Sequence, residues 1–258
     1  MKVVILAGGY GTRIRDVADN IPKPMIPVGP YPILWHIMKS YAHFGNTEFI
    51  VCLGYKGQYI KDFFLNYEAH TRDFTIDLGS TSGVNYHKNY SELGWKVTLT
   101  DTGDRSMTGA RIARIRDFVQ DEDFMLTYGD GVSDVDIGQL EAFHKSHGKA
   151  LTVTGVRPPG RFGEMTSSAS GKVLEFNEKP QATDGRINGG FFVATSKVFD
   201  YLDNSENLVF EQGPIRKLVK DEQLMMFEHN GFWQPMDTSR DHQLLNSLYE
   251  SGNAPWVR

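Results

Sequence analysis

The run Leu6-Ala7-Gly8-Gly9-Tyr10-Gly11-Thr12-Arg13 combines what a phosphate site needs. Glycines after a strand let backbone N–H groups approach an anion closely, and Arg13 supplies counter-charge. Lys23 lies between Pro22 and Pro24. Two prolines restrict that turn, so less entropy is lost when the ammonium is ordered. The spacing matches neither the dinucleotide fingerprint nor the P-loop, which wants Gly-Lys-Ser/Thr. A glycine loop alone can do no more than turn a strand into a helix, and Lys23 alone can be an exposed lysine in a rigid turn. Together with Arg13 they favour a phosphate cradle.

Two carboxylates stand out next. Asp130, in Tyr128-Gly129-Asp130-Gly131, and Asp237, in Gln234-Pro235-Met236-Asp237-Thr238, each follow an apolar stretch that reads as a strand end. With phosphate oxygens and water they would suit Mg²⁺, which prefers few protein ligands. The competing readings are a turn aspartate between glycines for Asp130 and a helix cap for Asp237. Glu178-Lys179-Pro180 and Asn188-Gly189-Gly190 form a second polar cluster. Its carboxylate, ammonium and amide could read sugar hydroxyls and a phosphate, or be ordinary turn residues. His144 and His147 sit one helical turn apart, but no further Cys or His has matching spacing. A solvated helix face is expected there, not zinc.

These residues must be carried by regular elements. Lys2 to Leu6 reads as a buried parallel strand ending in glycines. Ile33 to Ala42 has helical spacing and stops at Gly45, Glu48 to Leu53 returns to strand, and Tyr59 to Tyr67 gives a second amphipathic helix. Such alternation predicts an α/β fold with a doubly wound, mostly parallel sheet. Further strands are expected at Val97–Thr100, Phe124–Thr127, Leu151–Val156, Lys172–Phe176 and Gly190–Ala194, some of the later ones antiparallel. Helices are expected over Ile112 to Val119, Ile137–His147, Ile215–Val219 and Asp241–Tyr249. In such sheets ligands sit beyond the carboxyl ends of strands, which is where Asp130 falls.

The chain has 258 residues, 40% of them hydrophobic and 12% aromatic, enough for a large core. A formal charge of −5 argues against a nucleic acid partner. The single cysteine, Cys52, lies in an apolar run that reads as a buried strand, so no internal disulfide framework exists. No apolar run suits a signal peptide or a membrane span, and a cytoplasmic compartment is expected. One domain, 1–258, is expected, with residues 1–135 mainly nucleotide-binding and 136–258 mainly sugar-phosphate-binding.

The leading strand, the Gly-Gly-x-Gly-Thr-Arg loop and the Pro-Lys-Pro turn together resemble the sugar-1-phosphate nucleotidylyltransferase family. Within it the likeness is to the glucose-1-phosphate cytidylyltransferases, through Gly54-Tyr55-Lys56-Gly57, Asp101-Thr102-Gly103-Asp104, Met107-Thr108-Gly109, Tyr128-Gly129-Asp130-Gly131, Pro158-Pro159-Gly160-Arg161-Phe162-Gly163, Ile187-Asn188-Gly189-Gly190-Phe191-Phe192 and Gly231-Phe232-Trp233-Gln234-Pro235-Met236-Asp237-Thr238. The likeness runs nearly end to end. It implies a Rossmann-like sheet of the nucleotide-diphospho-sugar transferase type with a small antiparallel C-terminal subregion. It implies transfer of the cytidylyl group of CTP to glucose 1-phosphate, giving CDP-glucose for dideoxyhexose or O-antigen type polysaccharide. Uridylyl or thymidylyl transfer, or a silent sugar-nucleotide-binding subunit, are the alternatives. By the same resemblance Leu6 to Arg13, Lys23, Ser106, Arg111, Gly129 and Asp130 meet the nucleotide, and Tyr128, Glu178, Lys179 and Asn188 face the sugar phosphate. Asp130 and Asp237 hold Mg²⁺, and relatives suggest a homo-oligomer such as a hexamer. Two departures are Tyr10, where relatives often carry leucine, and Ala110, where a second glycine is expected.

Overall fold

The β-branched run Lys2–Leu6 forms strand β1 in the computed structural model, which describes residues 1–11, 14, 20–79, 83–87, 94–158, 164–168, 170, 172–177 and 185–258. Six further strands join it in one sheet: β2 (Glu48–Leu53), β3 (Lys96–Asp101), β4 (Phe124–Tyr128), β5 (Leu151–Val156), β6 (Ile187–Ala194) and β7 (Leu224–His229). The order is β7-β5-β6-β4-β1-β2-β3, and only β6 runs against the others. The mostly parallel α/β sheet expected from the alternation is present, and the reversed strand is one of those marked for antiparallel pairing.

Side chains on a strand alternate between faces, and β1 feeds two cores. Val3 and Ile5 pack with Ile33, Ile37 and Tyr41 of helix α1 (Ile33–His43) and with Leu245 near the C-terminus. Val4 and Leu6 pack with Cys52, Ile112, Ile115 and Leu218 on the other face. Burial on both sides explains why β1 is apolar without a break from Val3 to Leu6. Cys52 is fully buried, and burial pushes its thiol up to about 12.

Helix ends follow their capping residues. Gly45 closes α1 at φ +82°, a left-handed position that favours glycine. Beyond α2 (Gly57–Leu65), the expected helix over Ile112 to Val119 divides into α3 (Thr108–Ala113) and a short turn at Arg116–Val119. Asp136 caps α4 (Ile137–His147), its side chain accepting from the Gln139 N–H at 2.9 Å. Helices α5 (Gly213–Lys220) and α6 (Ser239–Glu250) complete the set that matters for the site.

The strand expected over Lys172–Phe176 is present as Val173–Asn177, paired antiparallel with Glu164–Ser167 in a ribbon apart from the main sheet. Other features differ from expectation. Strand β7 was not anticipated, because its residues are only half-buried and its apolar alternation is weak. His144 is not on a solvated face: it is buried, and its ring and that of His147 each lie within 2.8 Å of Thr152 Oγ1, clasping α4 to β5. Among the described residues no helix is long and apolar enough to cross a membrane.

Candidate active site

Beyond Leu6 the chain leaves the sheet but stays pinned to its neighbours. The Ala7 N–H donates to Cys52 O, and the Gly129 N–H donates to Leu6 O, both at 3.0 Å. A cleft of about 370 Å³ opens there, lined by the Leu6–Gly11 loop, Lys23 and Pro24, the Arg105–Thr108 segment, Arg111, Tyr128, Gly129 and both aspartates. It lies at the carboxyl ends of β1 and β4, as expected for an open α/β sheet. A Cβ on Gly8 would collide with the Arg111 guanidinium, whereas one on Gly9 would meet nothing within 4 Å among the described residues. A side chain on Gly8 would thus displace the Arg111 guanidinium, and Gly9 leaves its backbone open to the cleft.

Lys23 begins a tight turn in which the Met25 N–H donates to Pro22 O at 2.8 Å. Its ammonium donates to Asp130 Oδ2 at 2.6 Å and to Asp237 Oδ1 at 2.5 Å. The carboxylates meet because Gly131–Ser133, directly after Asp130, pairs antiparallel with Trp233–Pro235, directly before Met236 and Asp237. The Met236 N–H then donates to Asp130 O at 2.8 Å. Burial lowers the affinity of the Lys23 ammonium for its proton, but the charges and hydrogen bonds of Asp130 and Asp237 outweigh it and raise the pKa above its ordinary value.

The capping reading of Asp237 does not hold. Thr238 is the N-cap of α6: its Oγ1 accepts from the Asp241 N–H, and the Asp241 carboxylate accepts from the N–H groups of Thr238 and Asp237. The Asp237 carboxylate is turned to Lys23. Two carboxylate oxygens converging on one cation form a donor set that fits a divalent ion needing few protein ligands. Among the described residues no group of three or more His, Cys, Asp and Glu side chains could hold a metal by itself.

Arg111 is buried, and its terminal nitrogens donate to Leu53 O and Thr102 Oγ1 at 2.8 Å, Gly8 O at 3.0 Å and Asp104 O at 3.4 Å. Burial lowers its pKa. Its donors clamp the ends of β1 and β2 to the loop after β3. Ser106 lines the cleft, with its Oγ accepting from Arg114 at 2.6 Å. The neighbouring Gly109 is packed so tightly on Leu208 that a Cβ would overlap it, whereas Ala110 is buried with its N–H donating to Leu208 O. The fold therefore accepts alanine where a second glycine was expected.

Residues 2–238 match the Nucleotidyl transferase family. The chain belongs to that family. It is 49% identical over 257 residues, 99% of its own length and 98% of the other's, to a glucose-1-phosphate cytidylyltransferase of Salmonella typhi, and 43% identical over a similar span to a probable glucose-1-phosphate cytidylyltransferase of Bacillus subtilis. Its fold is similar to that of HddC from Yersinia pseudotuberculosis, with a TM-score of 0.68 at 22% identity over 96% of this chain and 99% of that one. It is similar also to a UDP-glucose pyrophosphorylase complexed with UDP-glucose, with a TM-score of 0.69 at 14% identity over 97% of this chain and 98% of that one.

Tyr128 also lines this cleft, and its hydroxyl donates to Glu211 Oε1 and accepts from Asn188 Nδ2 at 3.1 Å. Burial, followed by the Glu211 charge, raises the Tyr128 pKa. Gly190, at φ +79°, lies so close to the Tyr128 ring that a Cβ would overlap it, and Trp233 Nε1 donates to Gly189 O at 2.7 Å. Tyr128 and Asn188 are therefore joined, as are Lys23, Asp130 and Asp237. Thr12, Arg13, Glu178 and Lys179 lie outside the described residues. Sequence reasoning missed Glu211, which sits in a loop without periodicity and carries no motif.

Proposed function

We propose that this chain is a glucose-1-phosphate cytidylyltransferase that joins CTP and glucose 1-phosphate to give CDP-glucose and pyrophosphate. One observation carries the substrate assignment: the near full-length 49% identity to the Salmonella typhi relative. The geometry supports the chemistry. A phosphate oxygen of glucose 1-phosphate attacks the α-phosphorus of CTP while the bond to the departing pyrophosphate oxygen breaks in line. The sugar phosphate is already ionised at neutral pH, so the site needs no general base. Its main task is to offset repulsion between polyanions, where each pair of unit charges about 4 Å apart costs roughly 4 kcal/mol at an effective dielectric of about 20.

Asp130 and Asp237 would hold Mg²⁺, which when bound neutralises phosphate oxygens. Lys23, freed from one or both carboxylates by that charge, would turn to the triphosphate. The Leu6–Gly11 backbone, Thr12, Arg13 and Ser106 would position the nucleotide, and Tyr128, Asn188, Glu178 and Lys179 the sugar phosphate. Arg111 would serve the nucleotide by holding the loop that meets it. The test is pyrophosphate release with glucose 1-phosphate across CTP, UTP, dTTP and ATP. A clear preference for CTP is expected, and preference for UTP or dTTP would overturn the assignment.

A further inference from the structure

One side chain outside the cleft's lining joins the part proposed for the nucleotide to the part proposed for the sugar phosphate. Thr108 opens α3 directly after Ser106 and Met107 at the nucleotide end, and its Oγ1 donates to Glu211 Oε2 at 2.7 Å. The other oxygen of that carboxylate accepts from the Tyr128 hydroxyl, which in turn accepts from Asn188. Asn188 also orders its own turn, its Oδ1 accepting from the Gly190 N–H at 2.8 Å.

The segment that carries Glu211 is sewn to the nucleotide side along its length. The Met107 N–H donates to Glu206 O at 2.9 Å, the Gly109 N–H to Leu208 O at 2.9 Å, and the Phe210 N–H to Thr108 Oγ1 at 3.0 Å. Thr108 and Tyr128 face the cleft; Glu211 stands behind them. Each hydroxyl donates to its own oxygen of the carboxylate, whereas an amide would place a donor NH₂ at one of those two positions.

We propose that Glu211 is a positioning residue which, through the hydroxyls of Thr108 and Tyr128, couples occupation of the nucleotide end to the ordering of the sugar-phosphate end. A ligand that fixes the Ser106–Thr108 loop fixes the Thr108 hydroxyl, hence the carboxylate, hence the Tyr128 hydroxyl and the Asn188 amide. By linkage the effect is reciprocal: each substrate tightens the other. This inference rests on the nucleotidyl-transfer reading of the cleft, but not on the identity of the base.

The experiment is calorimetric titration of glucose 1-phosphate into the full chain with Mg²⁺, in the absence and presence of a saturating α,β-methylene analogue of the triphosphate that the wild type turns over. Choosing the analogue in this way separates the two readings, because a preference for UTP would overturn the CTP assignment and leave this test intact. Wild type should bind glucose 1-phosphate at least about fivefold more tightly with the analogue present. In Glu211→Gln the ratio should fall to about one, with either ligand alone bound within about twofold of wild type. Thr108→Val should remove the ratio from the other end and Thr108→Ser should retain it, so the test survives a poorly folding Glu211 variant. A wild-type ratio of one overturns the proposal. So does an unchanged ratio in Glu211→Gln, including the case where both affinities weaken together, since a merely structural side chain would do that.

Discussion

Lys23 and Arg111 are two nearly buried cations in one cleft, and their partners differ in kind. Lys23 is held by two carboxylates, Arg111 by three backbone carbonyls and a hydroxyl. Their pKa values move in opposite directions, as that difference requires. Burial opposes the charged form of both, but only Lys23 has carboxylates in contact to reverse it. Carbonyls at strand ends cannot leave, so Arg111 is bound into the scaffold. Carboxylates can exchange one cation for another, so the Lys23 region can respond to a ligand. Burial alone does not distinguish a cation fixed to the scaffold from one held by exchangeable partners, whereas the charge of those partners does.

The largest expected effect tests the responsive region. Asp130→Asn and Asp237→Asn each remove a negative charge with little change in shape, and each should lower turnover by about 10²–10³-fold or more, in the range of losing a key electrostatic contact. The double variant should lose much less than the product of the two, because groups that serve one cation act as a unit. Pyrophosphate release against Mg²⁺ concentration measures this. Near-normal turnover in Asp237→Asn would reduce the pair to a structural tether for Lys23.

Arg111→Met tests the scaffold region. It keeps bulk but withdraws the donors from Leu53 O, Gly8 O, Asp104 O and Thr102 Oγ1, and an unsatisfied buried acceptor costs about 1–3 kcal/mol. Denaturant unfolding should show a lowered midpoint, and Arg111→Lys should not restore it, since an ammonium lacks the planar fork. Wild-type stability with lost nucleotide binding would make Arg111 a ligand group and break the comparison.

The same contrast accounts for what could be read in the sequence. Gly8 to Gly11, Lys23 and Asp130 were legible because each sits in a local pattern: glycines after a strand, a lysine between prolines, an aspartate after an apolar run. The meeting of Asp130 with Asp237 was expected from the chemistry of anionic reactants together with the family resemblance, and the ribbon of Gly131–Ser133 with Trp233–Pro235 supplies it. The role of Arg111 was less legible, because a sequence displays its charge but not the strand-end carbonyls around it. Glu211 was invisible for a related reason: its partners Thr108 and Tyr128 lie 103 and 83 residues away, and nothing local marks it. His144 was misjudged because helical spacing does not tell which face meets a neighbouring strand.

A smaller effect should come from Lys23 itself. If its ammonium occupies the carboxylates until a metal arrives, Lys23→Met should bind Mn²⁺ more tightly than wild type in the absence of nucleotide, by about tenfold or more, since removing a competing unit charge at contact is worth a few kcal/mol at the effective dielectric of proteins. Turnover should fall in the same variant, because the triphosphate loses a positive partner. Metal titration by paramagnetic resonance reads the first effect without relying on activity. Unchanged Mn²⁺ affinity would show that Lys23 and the metal do not share the carboxylates.

The smallest effect concerns Thr238, one residue from Asp237 but engaged in a different task. Its hydroxyl caps α6 in a reciprocal box with Asp241, while the adjacent carboxylate turns to Lys23. Thr238→Ala removes the cap and should lower stability by about 0.5–2 kcal/mol. The Asp241 carboxylate still has the N–H groups of Asp237 and Thr238 to accept from, so the chain at Asp237 should keep its course. The Mg²⁺ dependence of pyrophosphate release should then match wild type at temperatures well below unfolding. Asp237→Asn should show the reverse pattern, with stability nearly kept and metal-dependent turnover lost. Measuring unfolding midpoint and Mg²⁺ dependence for both variants tests whether two neighbouring residues divide structure from chemistry as their hydrogen bonds indicate. A Thr238→Ala variant with a shifted Mg²⁺ requirement would show that the cap sets the position of the Asp237 carboxylate, and the two roles would no longer be separable.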